Sequence, residues 1–229
     1  MKYIKPYQIF EASATAPAAL TQEQIEWLDE CAAGRWKLNP QTGFVDVNGD
    51  FDCSGQRLTD LKGVRFGKVS GNFDCDNNQL TTLEGSPQSV GGGFYCENNE
   101  LTTLEGAPQK VGGYFYCNNN ELTTLEGAPQ SVGRGFYCND NKLTTLVGAP
   151  QSVGGNFYCS GNPVTETTLN SIFALMKKGM TYQQALEERW PEMKDVDRVL
   201  MYKEMPSLSP EDVRKYKALA TYANIKGYL

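Results

Sequence analysis

Apolar and polar positions recur with a fixed period through the middle of the chain. Six phenylalanines are separated by 22 and then four times by 21 residues. A cysteine follows each of them by two residues, a leucine by seven (valine in the last copy), and an asparagine by five in all copies but the first. The phenylalanines are Phe51, Phe73, Phe94, Phe115, Phe136 and Phe157. The pattern predicts six turns of one repeating unit.

Each unit is expected to begin with a short β-strand, in which successive side chains point to opposite faces. Phe115 and Cys117 then point inward and Tyr116 outward, with Leu122 and Val132 completing the interior. The apolar residues of one turn contribute roughly 7–15 kcal/mol of gross burial. Ordering the turn costs more, at ~1–2 kcal/mol per residue. One turn therefore cannot fold alone, and stacked turns that share an interior, a solenoid, are predicted.

The frame Phe-x-Cys-x-x-Asn-x-Leu resembles the L-x-L-x-x-N-x-L half of a leucine-rich repeat. The second half, "LTTLEGAPQSV", is similar to bacterial-type leucine-rich repeats and keeps a proline in four copies, although "VGGGF" departs from the family pattern. The whole phrase also resembles repeat proteins encoded by large tailed bacteriophages and some bacteria. The resemblance implies a leucine-rich-repeat solenoid with a short parallel β-sheet and a mostly loop convex side.

Two further columns have predicted structural roles. A buried asparagine in each turn can satisfy backbone groups of its own and adjacent turns, which predicts a hydrogen-bonded ladder. The Gly-Gly pair before the strand, present in three of the six copies, suits special backbone angles or close approach of neighbouring turns.

The six registered cysteines are expected to stack about 4.8 Å apart, the spacing of neighbouring strands. Their position beside phenylalanine favours a column of small buried residues. Stacked disulfides and a soft-metal column are the alternatives. No secretory signal is recognised at the start of the sequence, which favours a reducing, cytoplasmic compartment and free thiols.

The flanking segments predict different structures. Residues 1–50 are interpreted as an N-terminal segment and a helix–hairpin cap, with Thr21 as the helix N-cap. Residues 51–164 form the six-turn solenoid. Residues 165–229 predict about four helices, an α-helical C-terminal module that is either an enlarged cap or a separate contact surface, with homo-oligomerisation through it as one option.

Outward positions of the strands supply the candidate partner-binding residues. They are Tyr95, Tyr114, Tyr116, Tyr137, Tyr158, Asp52, Asp74, Asp76 and Glu97. Tyrosine stabilises strands and is also enriched in protein interfaces, and both roles can hold at once. The carboxylates are interpreted as a site for a basic partner or as solvated surface. A carbohydrate site on the tyrosines is a further alternative that nothing in the sequence selects. A Ca²⁺ site in the acidic cluster has less support still, because no ligand loop is evident.

Composition narrows the function. The chain has no histidine, which removes the commonest general base and metal ligand. A net charge of −6 argues against nucleic-acid binding, and no apolar run is long enough to span a membrane. Bacterial-type repeat proteins can carry a ubiquitin-ligase domain with a catalytic cysteine, but residues 163–229 contain none. No enzyme activity, metal or cofactor is expected.

We therefore expect a non-enzymatic protein–protein interaction module. The resemblance to phage-encoded proteins implies a host bacterial partner, and inhibition of a host defence or metabolic protein is the leading hypothesis. A virion structural or assembly adaptor protein is the alternative. An enzyme that uses carboxylates is the third class, and no acid–base pair is recognisable for it.

Overall fold

Two β-sheets flank one interior in the computed structural model, which describes residues 19–164, 166–201, 205 and 207–226. The chain winds as a β-solenoid in which equivalent strands lie 21 or 22 residues apart. Six of these strands lie side by side and form five parallel pairs. Because each pair is separated by one turn of the solenoid, the six strands span about five complete turns. The start of the predicted N-terminal segment, including the stretch without a recognised signal, lies outside the described residues, as do residues 227–229.

The second sheet contains the strands that the phenylalanine repeat predicts. They are β3 (Phe51–Asp52), β5 (Phe73–Asp74), β7 (Phe94–Tyr95), β9 (Phe115–Tyr116), β11 (Phe136–Tyr137) and β13 (Phe157–Tyr158). Neighbouring strands run parallel and in register, so that phenylalanine lies beside phenylalanine. The predicted short parallel strands are confirmed.

The first sheet lies on the other side of the interior. It contains β1 (Trp36–Leu38), β2 (Val45–Val47), β4 (Phe66–Val69), β6 (Ser89–Val90), β8 (Lys110–Val111), β10 (Ser131–Val132) and β12 (Ser152–Val153). Its pairs are parallel except for the antiparallel hairpin of β1 and β2. Sequence analysis predicted mostly loop here. A strand of two residues with one buried valine is too short to show alternation, so the pattern could not reveal this sheet.

Stacked aromatic rings form the centre of the solenoid. Phe94 lies 5.4 Å from Phe73 and 5.4 Å from Phe115 between ring centroids, with interplanar angles of 7° in both pairs. The leucines of each repeat and the valines of the first sheet are buried against these rings. Each turn thus presents the same apolar surface to the next, which explains why the repeats differ so little.

The predicted asparagine ladder is confirmed. The Asn99 Oδ1 atom accepts a hydrogen bond from the Leu80 backbone N–H at 2.9 Å. Its Nδ2 atom donates to the carbonyl of Cys75 in the preceding turn at 3.0 Å and to that of Cys96 in its own turn at 3.2 Å. The same bonds recur at Asn78, Asn120, Asn141 and Asn162.

The Gly-Gly pairs serve close approach rather than special backbone angles. A Cβ atom on Gly112 would collide with the carbonyl oxygen of Gly91 in the preceding turn. Gly112 itself is not among the residues with positive φ. Glycine is required here because neighbouring backbones leave no room for a side chain.

The cysteine column is buried, as predicted, and no disulfide joins the described cysteines. The Cys96 Sγ atom donates to the carbonyl of Tyr116 at 3.2 Å, and Cys117 donates to that of Tyr137 at 3.3 Å. Burial raises the pKa of both thiols well above the usual value. The thiols are therefore protonated and poor nucleophiles or metal ligands in the folded chain.

The predicted N-terminal helix and hairpin are present. Helix α1 (Gln22–Cys31) begins with a capping box, in which Thr21 Oγ1 accepts from Gln24 N–H at 3.2 Å and Gln24 Oε1 accepts from Thr21 N–H at 2.9 Å. The Trp27 ring lies 5.3 Å from that of Phe51, the first phenylalanine of the repeat. Helix α1 thus packs directly on the first turn.

The segment after the solenoid is helical in the described residues. It contains α2 (Glu166–Met176), α3 (Tyr182–Arg189), a short 3₁₀ helix (Trp190–Glu192), α4 (Asp195–Met201) and α5 (Pro210–Lys226). Phe173 of α2 stacks on Phe157, the last phenylalanine of the repeat, with ring centroids 4.1 Å apart. The aromatic column therefore continues from α1 through the solenoid into α2.

Candidate functional site

The outward positions of the second sheet form one continuous row. The pairing of the strands places Asp52 beside Asp74, Asp74 beside Tyr95, and the remaining tyrosines in sequence after it. The strands fold this way because phenylalanine and cysteine on either side of each outward residue are buried. The nine predicted partner-binding residues all lie along this row or immediately beside it, and we call them the tyrosine–carboxylate surface.

Four tyrosines of this surface stack face to face. Ring centroids are 5.3 Å apart between Tyr95 and Tyr116, 4.3 Å between Tyr116 and Tyr137, and 4.7 Å between Tyr137 and Tyr158. The rings are half-buried, and Tyr158 at the end of the row is 37% exposed. Burial, together with a hydrogen bond to Tyr137, raises the pKa of Tyr116 to about 12. The Tyr116 phenol is thus neutral near pH 7, and its hydroxyl can donate or accept a hydrogen bond.

Tyr114 lies next to this stack and contacts the side chain of Arg134, which places a cation beside the tyrosines. Its ring centroid is 5.9 Å from that of Tyr116, and the guanidinium carbon of Arg134 lies 5.4 Å from the Tyr114 centroid. In two other repeats the equivalent position is Gly93 or Gly135, where a Cβ atom would come within 2.7 or 2.8 Å of the ring of Tyr95 or Tyr137. Sequence analysis missed Arg134, although "VGRGF" differs from "VGGGF" at this residue.

Carboxyl groups occupy the N-terminal end of the surface. Burial raises the pKa of Asp74 to about 6, and the nearby charges of Asp76 and Asp52 add to the shift. Burial likewise raises the pKa of Glu97 to about 7, with Asp76 and Asp74 contributing. Within the described residues, none of these four carboxyls has an ion-pair partner. The end of the surface is therefore acidic and not neutralised.

Glu97 is the least satisfied of these groups. Its Oε2 atom is buried and has no hydrogen-bond partner in the described part of the chain, and the same holds for Oδ1 of Asn118, the residue at the equivalent position in the next repeat. Asp52 differs, since its Oδ1 atom accepts hydrogen bonds from Ser54 N–H at 3.0 Å and from the Ser54 hydroxyl at 2.7 Å. These buried and unsatisfied acceptors at Glu97 and Asn118 cost free energy in the folded chain.

Other chemistry finds little support in the described residues. Among the described residues, no group of three or more cysteine, aspartate or glutamate side chains is arranged to hold a metal ion. In the same part of the chain, every helix is too short or too polar to cross a membrane.

Comparisons of the chain with models of protein families, with curated proteins and with solved structures found no match. The function of the tyrosine–carboxylate surface is therefore inferred from its own chemistry.

Proposed function

We propose that the chain is a leucine-rich-repeat protein that binds a protein partner through the tyrosine–carboxylate surface and catalyses no reaction. The observation that carries the proposal is the register of Asp74 beside Tyr95, which joins a stacked tyrosine row to an acidic end without a gap. A surface of this kind offers apolar area, hydrogen-bonding hydroxyls and charge to a single partner.

The tyrosine stack supports protein binding because its side chains are ordered before a partner arrives. Tyr116 is held between Tyr95 and Tyr137, so little rotamer freedom is lost on binding. Tyrosine side chains of this type are frequent among the residues that dominate the affinity of interfaces. The same stacking also stabilises the sheet, and the two roles are compatible.

The acidic end indicates the chemistry of the partner. Asp74 and Glu97 are half-buried, and neither forms an ion pair within the described residues, which makes their ionised forms unfavourable in the unbound chain. A lysine or arginine of the partner would relieve this cost and lower both pKa values. The partner is therefore a protein with a basic patch next to an apolar one. At the opposite end, Arg134 is available to an acceptor on the same partner.

The sequence of the repeat supports a more specific proposal about the partner. Its likeness to phage-encoded repeat proteins suggests a partner in the infected bacterium, and we propose that the chain acts in the host cytoplasm as an inhibitor of a defence or metabolic protein. A stable complex that blocks a functional surface of the target needs no catalysis, which agrees with protonated, buried thiols and the absence of histidine.

The test is a pull-down from lysate of a phage-susceptible bacterium, followed by calorimetry with the purified partner. One stoichiometric partner is expected. Replacing Tyr95, Tyr116, Tyr137 and Tyr158 by serine should weaken binding at least about 30-fold, the effect of losing central interface residues. The matched control is Lys110→Ser on the first sheet, where other repeats already have serine, and it should bind as wild type.

A second variant separates binding from stability. Asp74→Asn with Glu97→Gln removes two charges without removing stacked rings, so the fold is retained while a basic partner binds less tightly. If the partner binds both variants as tightly as wild type, the interface lies elsewhere. The next variant of the full chain would then carry substitutions in the segment from residue 165 onward. Co-purification with phage particles, without capture of a host protein, would instead favour the virion alternative.

A further inference from the structure

A second candidate site lies on the first sheet, away from the tyrosine–carboxylate surface. It is a cavity of about 450 Å³ between the N-terminal hairpin and β4. The lining side chains that matter here are Arg35, Trp36, Lys37, Asn48, Lys68 and Ser70, and we call this site the cationic cavity. Its volume lies in the range of about 300–1,000 Å³ that is usual for small-molecule sites.

Three unpaired cations line this cavity. Arg35, Lys37 and Lys68 are exposed, and within the described residues none of their side chains has an ion pair or a hydrogen bond. The one acidic residue in the lining, Asp46, lies opposite Lys37 and accepts a hydrogen bond from the Lys68 backbone N–H at 2.7 Å. The cavity is thus net positive in a chain whose net charge is −6.

Two of the lining side chains, Arg35 and Asn48, contact neighbouring residues of the wall. The guanidinium carbon of Arg35 lies 3.1 Å from the point where a Cβ atom on Gly49 would stand, so the guanidinium rests on the glycine backbone. Ser70 Oγ accepts from Gly49 N–H at 2.8 Å and donates to Asn48 Oδ1 at 3.4 Å. This leaves the Asn48 amide N–H groups available as further donors.

The aromatic wall is fixed as well. The Trp36 indole N–H donates to Asp29 Oδ1 at 2.8 Å, which sets the orientation of the ring. Trp36 is only partly buried and lies in the lining beside the cations. A ligand with an anionic group and an organic body would use both parts of the cavity.

We propose that the cationic cavity binds a small organic oxyanion, a molecule that carries phosphate or carboxylate groups. Guanidinium and ammonium groups form their strongest hydrogen bonds with these anions. A long polyanion fits less well, because the outward row of the sheet continues with Ser89, Lys110 and Ser131 and so has only one more cation. The site is independent of the proposed protein interface, which lies on the other sheet.

The test is isothermal titration calorimetry of the full chain at low ionic strength, with sodium pyrophosphate and with citrate as probes. We expect saturable binding of at least one probe with one site per chain. The probe with the lower dissociation constant shows whether the cavity prefers phosphate or carboxylate groups. Backbone amide NMR shifts are expected at Lys37, Asn48 and Lys68 and not on the second sheet.

Variants distinguish a built site from diffuse attraction. Lys37→Gln with Lys68→Gln should weaken binding at least about tenfold. Lys37→Arg with Lys68→Arg should retain it. Lys110→Gln, which removes a lysine from the same row outside the cavity, should bind within about twofold of wild type. These lysines are exposed, so the variants are expected to fold.

Three results would overturn the proposal. They are the absence of saturable binding of either probe by the wild-type chain, an equal loss of affinity in the Lys110→Gln variant, and shifts that spread over the whole surface instead of the cavity. Any of them would mean that the basic residues attract anions without forming a site.

Discussion

The Trp27 indole N–H donates a hydrogen bond to Gln56 Oε1 at 2.9 Å, and this bond joins helix α1 to the first turn of the solenoid. Gln56 stands where the later repeats have the asparagine of the ladder. An asparagine there would have no preceding turn to bridge. The longer glutamine side chain instead reaches α1, where its Nε2 atom also lies 3.4 Å from Cys31 Sγ.

Gln56→Ala is therefore expected to destabilise the chain by about 1–2 kcal/mol, because the buried Trp27 ring loses the partner of its N–H group. Chemical denaturation followed by Trp fluorescence would measure the change. Gln79→Ala is the matched control, since Gln79 is exposed in the next turn and its side chain makes no hydrogen bond to any residue that the structure describes. Equal effects of the two substitutions would show that the Trp27 contact contributes nothing specific.

The asparagine ladder should matter more than any single surface contact. Asn120 bonds to Leu101 N–H at 3.0 Å and to the carbonyl of Cys96 at 3.0 Å, as well as to two carbonyls of its own turn. Asn120→Ala leaves these buried groups unpaired and is expected to cost about 3–5 kcal/mol in the free energy of unfolding.

Asn119→Gly provides the control for the ladder. Asn119 is exposed with φ of 54°, and glycine already stands at this position as Gly55 and Gly161. This neighbour should therefore change stability by less than about 1 kcal/mol. Urea denaturation measures the free energy of unfolding of both variants. A comparable loss of stability in the two would contradict the role of the ladder.

Much of the fold could be predicted because its determinants repeat. The inward face of the second sheet was predictable from phenylalanine and cysteine two residues apart. The ladder was predictable from the asparagine three residues after the cysteine. The first sheet escaped prediction because a pair such as Ser89–Val90 offers one buried side chain and no alternation. Its strands exist because parallel backbones of adjacent turns bond to each other, as in Gly112 N–H to the Val90 carbonyl at 2.9 Å.

The residues of the tyrosine–carboxylate surface could be predicted from the sequence, but their side-chain contacts could not. The alternation of the strands placed Tyr95 and Tyr116 outward, which the structure shows. The interaction of Arg134 with Tyr114 depends on side-chain packing across two repeats, which spacing alone does not reveal. The cationic cavity was missed for the same reason, since Lys37 and Lys68 are far apart in sequence and meet only through β2.

The thiol column makes a chemical prediction. Burial raises the pKa of the Cys75 and Cys138 thiols well above the usual value, so the native chain should react with a disulfide reagent at pH 8 at least about 100-fold more slowly than free cysteine. All seven cysteines should react rapidly in denaturant. Ellman's reagent measures both rates, and rapid labelling of several thiols in the native chain would contradict the buried column.

The carboxyls of the tyrosine–carboxylate surface predict how stability depends on pH. The pKa of Asp74 is raised from 3.8 to about 6 and that of Glu97 from 4.5 to about 7. The folded chain thus retains protons that the unfolded chain has lost. The stability from these two groups is fully present below about pH 4 and is lost as the pH rises through 6 and 7.

Asp74→Asn with Glu97→Gln should remove this loss. At pH 7.5 the variant is expected to be more stable than wild type by about 1–2 kcal/mol in all, after allowance for solvent screening of two half-exposed groups. At pH 3 the two proteins should be nearly equal, because the wild-type carboxyls are then largely protonated in both the folded and the unfolded state. Urea denaturation at the two pH values measures the difference. A variant advantage that does not change with pH would mean that packing, and not titration of these carboxyls, causes it.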